Sequence, residues 1–521
     1  MKIGLLINNL RHIPSWKLRV MEFVINNPKL ELILVISTYK KNNTNFILKL
    51  LIAIQTKIER LLFFKKPFFK NKLKIEKELN SLTTINFKKN ITNKELSFLN
   101  NLDLIINLNK LPIEIKLKKF PQYGIWNLKF GKGNEIFNNA IGAWDVINKS
   151  KNIKVDIIKS NINGSKIINS AWFNRHWSIV KTNDNITESS VALLIKNINN
   201  IEQNATILDS CFSKKNNDIH FVKLIIYIMK FYLIIAYKFL SRIKWFFFKK
   251  RQYCFTLAVG KGNALTYNQL SEKSILPDDN EYWADPFLFP YKNKTYVFFE
   301  NFSYKSKIGK ISCGVLENNC ILHKEDALVL NTHLSYPYIF KEKNNIFLMP
   351  ENSEKGGLHI YKCITFPNKW TLYSSCFIGE KIVDASFYTD NENQKWLFLN
   401  KGDNENVPME NELYIFKIDS LKFNTIIPHK QNPVLIDSRI ARNAGSVFNY
   451  KENAYRPSQA NIDGVYGKNI NINKIEILNI EVYKEKTVKV FKPNTKKGFI
   501  AMHHIHQIKN QFIYDSALNS L

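Results

Sequence analysis

The chain has few cysteines, and none of them form a redox or metal-binding pair. Its 521 residues include six Cys, with no C-x-x-C motif and no zinc-finger spacing. We therefore expect buried thiols in a reducing compartment, and neither a disulfide framework nor a structural zinc site. The six are Cys211, Cys254, Cys313, Cys320, Cys363 and Cys376.

Glycine-rich phosphate loops and an export signal are also missing. No G-x-G-x-x-G and no P-loop follows the first apolar segment, Ile3–Ile7. Neither dinucleotide nor NTP binding is therefore predicted. The same apolar run is too short for a signal peptide, which favours a cytoplasmic protein.

Acidic residues are a minority in this chain. There are 44 Asp and Glu against 75 Lys and Arg, which gives a formal net charge of +31. Such a charge is one mark of a nucleic-acid binder. However, the lysines are spread through the loops, so a general enrichment in Lys, Asn and Ile explains the charge better, and nucleic-acid binding is disfavoured. Attraction to anionic lipid or phosphorylated sugars would be a by-product.

The C-terminal half repeats one unit five times: a polar corner, a short apolar strand, a turn and a returning strand. The spacing between corners is regular: 51 residues (336 − 285), 48 (384 − 336), 59 (443 − 384) and 60 (503 − 443). A strand repeat of roughly 40–60 residues is typical of propeller blades. We therefore predict a five-bladed β-propeller, with a β-sandwich as the alternative. The corners lie at Trp283–Phe289, Ser335–Phe340, Val383–Tyr388, Asn443–Phe448 and Ile500–Ile505.

The N-terminal part alternates between strand and helix patterns. Apolar runs at Ile3–Ile7, Leu30–Ser37 and Asp103–Asn107 read as buried strands, and Trp16–Ile25 and Asn45–Phe64 read as helices. This alternation predicts an α/β domain with a parallel sheet. The predicted organisation is an α/β domain at 1–205, a basic amphipathic linker helix at 206–251 and the propeller at 252–521.

Residues 1–200 resemble the formyltransferase N-terminal domain. The resemblance rests on Asp103–Ile106, Leu111-Pro112, Tyr123–Gly131 and Gly142–Ile147. In that family an Asn-x-His pair and a later Asp carry formyl transfer from a folate. Here Asn127 matches the Asn, but Lys129 replaces the His and Asn163 replaces the Asp. A protonated Lys cannot act as the base, and Asn supplies no negative charge. The resemblance thus implies a formyltransferase-like fold with its formyl chemistry lost, which is left with sugar-nucleotide binding or a scaffolding role.

The linker is apolar, aromatic and basic. Its longest uncharged run, Phe231–Tyr237, is far short of the ~20 residues that span a bilayer. Lys223 and Lys230 are seven residues apart and share a helix face. Two interpretations stay open: a helix lying in a membrane interface, and a helix packed between the two domains. The aromatic and basic end at 245–251 favours membrane contact.

Residues 252–521 resemble the N-terminal propeller of the glucosamine inositolphosphorylceramide transferase family. The residues that carry the resemblance are Trp283–Phe287 with Phe298–Glu300, Ser335–Pro337 with Met349–Glu351, Asp384–Phe387, and Arg456–Gln459. The plant family has a separate transferase domain, and we expect none in this chain. The fold is more distantly similar to that of five-bladed glycoside hydrolases, whose acids sit at the inner ends of blades.

Carboxylates recur at the strand ends that a propeller brings together. Glycosidic chemistry needs one protonated and one ionised carboxyl group at ~5–10 Å. Asp285, Glu351 and Asp384 are therefore the predicted catalytic residues. The alternative is that Asp285 and Asp384 cap blade corners by accepting backbone N–H groups. Aromatic, acidic and hydrogen-bonding side chains nearby are the predicted substrate-binding residues: Trp283, Glu300, Tyr336, Arg442, Arg456, Gln459 and His504.

The cluster His503-His504-Ile505-His506 is the one feature that suggests a metal. His504 and His506 share a strand face, whereas His503 lies on the other. No Cys or carboxylate of ligand spacing is close in sequence. We therefore predict no metal and place His504 in the wall of a sugar pocket or in the core.

Together these features predict a carbohydrate-active protein, an enzyme of the glycosyltransferase type in bacterial surface-glycan or glycolipid assembly. No cofactor is predicted beyond a sugar nucleotide as donor, and the expected partners are a carbohydrate or glycolipid substrate and an anionic membrane surface. The expected location is the cytoplasm, peripheral to the inner membrane. The alternatives are a non-catalytic glycan-binding module and, disfavoured, a sugar N-formyltransferase.

Overall fold

The computed structural model describes most of the chain in two compact units. The first unit covers Met1–Leu233 and the second begins at Ile234, so the division falls within one long helix. The described residues are 1–7, 13–37, 46–63, 75, 77–78, 84–87, 99–109, 121–133, 140–162, 164–202, 210–211, 219–248, 253–268, 270, 273–352, 354–402 and 407–519.

The first unit is built on one eight-stranded sheet with the order β3-β2-β1-β4-β5-β6-β7-β8. Neighbouring strands from β3 through β5 are parallel, whereas β6, β7 and β8 add antiparallel strands at one side. The strands are β1 (Lys2–Ile7), β2 (Glu31–Ser37), β3 (Thr84–Phe87), β4 (Leu104–Asn107), β5 (Ile125–Phe130), β6 (Asn152–Asn161), β7 (Gly164–Asn174) and β8 (Ser210–Cys211).

The predicted α/β layer is therefore present, but its sheet is mixed and not parallel throughout. β6 and β7 are separated by a very short connection, and such a connection can join only antiparallel neighbours. β1 and β4 form the interior of the sheet, because Ile3, Leu5 and Ile105 are fully buried. Buried parallel strands read as continuous apolar runs, which is why the sequence indicated them.

Five helices accompany this sheet among the described residues. They are α1 (Ser15–Asn26), α2 (Phe46–Phe63), α3 (Ala143–Ile147), α4 (Ile179–Glu202) and α5 (Phe221–Phe248). The buried Glu59 of α2 fixes the start of α4: its Oε2 accepts hydrogen bonds from Ser178 Oγ at 2.6 Å and Val180 N at 3.0 Å. A carboxylate is favourable there because the first N–H groups of a helix lack intrahelical partners.

The second unit is the predicted five-bladed β-propeller. Five antiparallel sheets follow one another along the chain, and four of them contain only consecutive strands. Blade 1 has β11 (Glu281–Tyr291), β12 (Lys294–Ser303), β13 (Gly309–Glu317) and β14 (Cys320–Leu328). Blade 2 has β15 (Ser335–Glu342), β16 (Asn345–Glu351), β17 (Leu358–Thr365) and β18 (Lys369–Cys376).

Blade 3 has β19 (Ile382–Thr389), β20 (Lys395–Lys401), β21 (Glu412–Ile418) and β22 (Ile426–Pro428), with the short β23 (Leu435–Ile436) against β21. Blade 4 has β24 (Phe448–Tyr450), β25 (Asn453–Ile462), β26 (Val465–Leu478) and β27 (Tyr483–Phe491). The closing blade has β9 (Tyr253–Lys261), β10 (Ser274–Ile275), β28 (Phe499–Ala501), β29 (Ile505–Ile508) and β30 (Gln511–Asn519).

The closing blade joins the two ends of the propeller. Its first strand, β9, pairs antiparallel with the last strand, β30, from Gln511 opposite Lys261 to Asn519 opposite Tyr253. Pairing of strands from both ends of the chain segment within one blade holds the ring of blades closed. Large apolar side chains fill the space between blades 1, 2 and 3, among them Phe287, Phe298, Tyr336, Tyr338, Phe347 and Phe387.

Candidate functional site

The first strand of each blade is interrupted at the same place. In blades 1, 2 and 3 the pairing with the second strand shifts between Ala284 and Phe287, between Ser335 and Tyr338, and between Val383 and Ser386. In the closing blade the interruption is the gap between β28 and β29. Such bulges bend the strand and redirect a side chain. Four of the ten residues predicted for the propeller site lie at these interruptions: Asp285, Tyr336, Asp384 and His504.

One residue in each of the first three bulges has a left-handed backbone. Asp285 and Asp384 both have φ 49°, and Tyr336 has φ 43°. This conformation is uncommon outside glycine, although Asp tolerates it better than most residues. The repeat of a strained position in three blades confirms that these residues are structural equivalents, as their spacing predicted. Strained backbone of this kind concentrates at functional sites.

In blade 4 the correspondence is shifted by one residue. Asn443 is bridged to Ser458 where blade 1 pairs Ala284 with Glu300. The sequence alignment had placed Asn443 opposite Asp285, so it put this corner one residue too early. By this pairing Ala444 is the equivalent of Asp285, and the residue with positive φ at this corner is the next one, Gly445, with φ 138°.

Asp384 of blade 3 is paired with Arg442, which precedes the bulge of blade 4. Arg442 Nε donates to Asp384 Oδ2 at 2.5 Å, with both side chains largely buried. Asn443 Nδ2 donates to the backbone oxygen of Asp384 at 2.9 Å. The Asp384 N–H points to Glu351 Oε2 at 3.4 Å. Residues from blades 2, 3 and 4 therefore meet at Asp384.

Asp285 of blade 1 lies against the closing blade. Its Oδ1 is 3.8 Å from His503 Nε2 and 3.6 Å from His504 Nδ1. Its Oδ2 accepts the Tyr336 N–H at 3.3 Å, and its own N–H donates to Asp515 Oδ2 at 3.1 Å. Asp285 therefore accepts a backbone N–H group and also lies among the titratable groups of the cluster. The sequence analysis had treated capping and a place in the site as alternatives.

Asp515 is a member of the cluster that the sequence analysis did not select. Its Oδ1 accepts the N–H groups of His503 at 3.0 Å and His504 at 2.9 Å, and its Oδ2 is 2.6 Å from His503 Nδ1. Asp515 is fully buried. The signal was present in the repeat, because Asp515 ends the second strand of its hairpin as Glu300 and Glu351 end theirs.

Glu300 and Glu351 complete the set of acids. Glu300 Oε1 accepts from Tyr282 Oη at 3.0 Å and is 3.4 Å from His333 Nε2. Burial, followed by the charge of Asp285, raises the pKa of Glu300 well above its usual value. Burial, followed by the charge of Asp384, raises the pKa of Glu351 to about 8. Both groups therefore keep their protons where an ordinary carboxyl group is ionised.

The cluster holds charged and neutral groups side by side. Burial raises the pKa of Asp285 to about 7, although the charge of His503 opposes this. The charges of Asp515 and Asp285 raise the pKa of His503 to about 9 against the effect of its burial. His503 in turn holds the pKa of Asp515 below its usual value, although burial acts in the opposite direction. Neighbouring groups with pKa values pushed apart are what general acid–base chemistry requires.

Three other predicted residues lie in or beside this cluster. Tyr336 and His504 are fully buried and in ring contact at 5.2 Å. Burial lowers the pKa of His504 to about 3, so this ring is neutral. Gln459 donates its backbone N–H to Arg442 O at 2.8 Å. Its buried Oε1 accepts no hydrogen bond from any residue that the structure describes.

Two predicted substrate-binding residues lie elsewhere. Trp283 packs on Phe299 with ring centroids 4.8 Å apart, and its Nε1 donates to Glu281 at 3.2 Å. Arg456 is fully buried within blade 4, where its guanidinium donates to both carboxylate oxygens of Glu485 at 2.8 and 2.6 Å and to Asn443 Oδ1 at 2.9 Å. The structure does not bring either side chain to the carboxyl groups of the bulges.

The formyltransferase-like motif lies in the first unit and its residues are partly described. Asn127 is on β5, and its Oδ1 accepts from Asn107 Nδ2 at 2.8 Å. Lys129 is on the same strand, opposite Asp156 in the pairing with β6. Asn163 lies outside the described residues.

Among the described residues of the propeller, one group of side chains has the spacing that a metal ion would need. One ligand atom each from Asp285, His503 and Asp515 lie within 4.8 Å of one another, and all three residues are buried. His503 carries a proton at neutral pH, given its raised pKa, and its Nδ1 faces Asp515. The group therefore forms a hydrogen-bonded ion pair without a cation, and the absence of a metal stays a prediction.

The cluster is nearly closed to solvent. Asp285 is 7% exposed and Asp384 is 3% exposed, while Glu351 is partly exposed. Tyr466 of β26 borders it: its ring lies 5.1 Å from the Arg442 guanidinium and 5.8 Å from the His503 ring, and the residue is 39% exposed. A more open cleft of about 570 Å³, between blades 3 and 4, is lined by other residues, among them Tyr388, Trp396 and Glu476.

The propeller sequence matches a known family. Residues 263–516 match the family described as glucosamine inositolphosphorylceramide transferase 1, N-terminal. The protein of that name from Oryza sativa subsp. japonica is 32% identical over 219 residues, which are 41% of this chain and 29% of the relative. The one from Arabidopsis thaliana is 30% identical over 223 residues, 42% of this chain and 29% of the relative. The aligned part is thus under a third of the length of these relatives.

Solved structures give partial matches to glycoside hydrolases. A thermostable family-43 glycoside hydrolase matches with a TM-score of 0.33 and 10% identity, covering 45% of this chain and 88% of that one. An endo-1,4-beta-xylanase from Bacteroides thetaiotaomicron matches with a TM-score of 0.35 and 12% identity, covering 45% and 84%. The resemblance inferred from the repeats is confirmed by the sequence comparisons: the propeller is similar to the N-terminal region of glucosamine inositolphosphorylceramide transferases.

Proposed function

We propose that the propeller binds a sugar-containing head group and transfers a glycosyl unit in glycolipid or surface-glycan assembly. The observation that supports this most is the cluster in which Glu351 retains a proton beside the charged pair of Asp384 and Arg442. A carboxylic acid next to an anionic group is the arrangement that cleavage of a glycosidic or sugar-phosphate bond needs.

The proposed roles follow from the contacts of each group. Glu351 donates a proton to the oxygen of the leaving group. Asp384, held in place by Arg442, stabilises the positive charge that develops on the sugar ring. Burial raises the pKa of Asp285 to about 7, and in its ionised form Asp285 accepts the proton of the incoming hydroxyl group. His503 and Asp515 position Asp285.

The class of substrate is proposed from the relatives. Their name describes transfer involving glucosamine and inositolphosphorylceramide. We therefore propose a phosphorylated lipid head group as acceptor and a sugar nucleotide as donor. Arg442 supplies a guanidinium for a phosphate or a hydroxyl group, and the net charge of +31 favours anionic ligands.

A second candidate is a non-catalytic glycan-binding module. Two observations favour it: the match is to the N-terminal region of the transferases, and the carboxyl groups are almost closed to solvent. In this case the cluster supports the structure of a glycan-binding surface, and the protein catalyses no glycosyl transfer.

Turnover of a sugar nucleotide with lipid acceptors separates the two candidates. For transfer, the wild-type protein forms a product, and Glu351→Gln and Asp384→Asn each lower the rate at least about 100-fold, the order that a general acid contributes. Glu380→Gln is the matched control, because Glu380 is a partly exposed carboxylate in a pair with Lys401. Binding without product, which survives in both site variants, would support the binding module and contradict transfer.

For the first unit we propose a formyltransferase-like domain that has lost its formyl chemistry. Lys129 in place of the catalytic histidine and the engagement of Asn127 by Asn107 support this. Consumption of formyl-tetrahydrofolate that depends on Asn127 would contradict it. The cytoplasmic location stays a prediction.

A further inference from the structure

Helix α5 has two apolar faces, and only one of them is covered. Leu224, Tyr227 and Phe231 are buried, and their spacing of three and four residues places them on one side. Six apolar residues recur at similar spacing on the opposite side of the helix, and all six are exposed: Val222, Ile226, Met229, Leu233, Tyr237 and Leu240. Val222 is 66% exposed and Leu233 is 65% exposed.

The buried face is held firmly on the first unit. Tyr227 Oη donates to Glu59 Oε1 at 2.6 Å and accepts the Ile179 N–H at 3.2 Å. The ring of Phe231 packs against that of Trp177 at 5.2 Å. Rotating α5 to bury its exposed face would break these buried hydrogen bonds. The opposite, apolar face of α5 therefore stays exposed when the first unit is folded.

Positive charge lines the edge of this apolar face. α5 contains five Lys and Arg residues and no acidic residue. Lys223 is exposed, and its Nζ donates to Asn148 Oδ1 at 2.7 Å, which leaves two N–H groups of the ammonium for other acceptors. The charge of Lys230, followed by a hydrogen bond with the same residue, lowers the pKa of Lys149. Cations from α5 and from the unit therefore lie close together at this edge, where phosphate groups would be attracted.

We propose that the outward face of α5 docks this protein on an anionic membrane surface. The apolar stripe enters the boundary between head groups and acyl chains, while Lys149, Lys223 and Lys230 contact lipid phosphates. An apolar face flanked by Lys and Arg is the pattern of helices that lie in a membrane interface. This inference does not depend on the proposed glycosyl transfer.

A spanning helix is the main alternative. By length and composition Phe221–Ile243 is apolar enough to cross a membrane, with a mean hydropathy of 1.7. However, a spanning helix would have to expose its buried face to lipid, including Tyr227 and its partner Glu59. Uncovering a buried carboxyl group to hydrocarbon is costly. The contacts therefore favour a helix that lies along the surface.

Vesicle co-sedimentation of the full chain tests the proposal. Phosphatidylcholine vesicles with about 30% phosphatidylglycerol are compared with phosphatidylcholine alone at about 0.1 M salt. We expect binding to the anionic vesicles and release at high salt. Met229→Glu with Leu233→Glu, and separately Lys223→Glu with Lys230→Glu, each lower the bound-to-free ratio at least about tenfold.

Controls with the same change of charge are available on strand β27 and just after it. Val488→Glu with Val490→Glu matches the apolar pair, since these residues are also exposed. Lys486→Glu with Lys492→Glu matches the lysine pair. Both controls keep binding within about threefold. The proposal would be overturned if the wild type did not bind vesicles, or if the controls lost as much vesicle binding as the variants. It would also be overturned if the wild type self-associated without binding vesicles and Met229→Glu with Leu233→Glu abolished that self-association. Resistance of the bound protein to alkaline carbonate would overturn it in favour of a spanning helix.

Discussion

Asp384 and Arg442 are 58 residues apart, lie on different blades and share a hydrogen bond of 2.5 Å. Both side chains are largely buried, at 3% and 11% exposure. A buried pair of charges gains little over an apolar pair, but removing one partner leaves the other charge unpaired. The pair therefore makes the fold of blades 3 and 4 depend on both residues.

Arg442→Met should destabilise the propeller by about 3–5 kcal/mol, because it leaves the buried carboxylate of Asp384 without its ion-pair partner. The double variant with Asp384→Asn should recover most of this loss. Urea unfolding of the two single variants and the double variant gives the coupling energy. Lys401→Met is the control: it breaks a more exposed pair with Glu380 and should cost under about 1 kcal/mol. Additive effects in the double variant would contradict the pairing.

Glu351→Gln should stabilise the protein at alkaline pH. The pKa of Glu351 is raised to about 8 in the folded state from 4.5, so the folded protein holds the proton more tightly than the unfolded chain does. The wild type therefore loses stability as the pH rises from about 4.5 to 8, and the glutamine variant does not. We expect equal stability at pH 4 and an advantage of roughly 2–4 kcal/mol for the variant at pH 9.

Thermal unfolding of both proteins across this pH range measures the difference. A gap that stays constant with pH would show that Glu351 is not the group that retains the proton. An increase in stability on removing a carboxyl group is expected when that group is kept for function and not for the fold.

The sequence contained the period of the repeat but not the contacts across the ring. Asp285, Tyr336 and Asp384 could be predicted as equivalents because their hairpins are similar and evenly spaced. The partner of Asp384 could not, since Arg442 lies in the next blade and no local pattern links the two. Asp515 could have been predicted from the same repeat, because it ends the second strand of its hairpin as Glu300 and Glu351 end theirs. Its contact with Asp285, 230 residues away, could not.

The first unit shows the same limit. The buried strands β1, β2 and β4 are continuous apolar runs and were predicted within a residue or two, whereas the parallel strand β3 was not predicted. The antiparallel strands β6 and β7 were not, because their polar and apolar residues alternate only in part. Arg456 was predicted as a substrate-binding residue because its guanidinium can donate to hydroxyl or phosphate groups, yet Glu485 on β27 pairs with it inside the blade.

Asp515→Asn should lower the pKa of His503 from about 9 to near or below its ordinary value of 6.5. Asp515 contributes both the negative charge and the acceptor at Nδ1. By the same linkage, the raised pKa of His503 stabilises the fold below about pH 6.5, and this contribution is lost as the pH rises through 9. NMR titration of the histidine ring resonances measures the pKa directly.

The variant should also lose stability, by roughly 1–3 kcal/mol, because Asn offers one acceptor oxygen where Asp515 accepts the backbone N–H groups of Asp285, His503 and His504. Asp326→Asn is a suitable control, since Asp326 is a half-exposed carboxylate paired with Lys310. An unchanged His503 titration in Asp515→Asn would show that the two side chains do not form an ion pair.

Gly445→Ala should be the most damaging alanine substitution at the junction of blade 4 and the closing blade. Gly445 has φ 138°, and a Cβ there would lie 2.0 Å from the backbone oxygen of Ile505. That oxygen is held in place because the Ile505 N–H donates to Ala444 O at 2.7 Å. Gly262→Ala is the matched control, with φ 87° and no atom within 4 Å of the added Cβ. Backbone strain is common to both, so the control should cost only about 1 kcal/mol, whereas the clash should cost Gly445→Ala at least about 2 kcal/mol more. Equal unfolding midpoints in urea would mean that the two blades do not approach each other this closely.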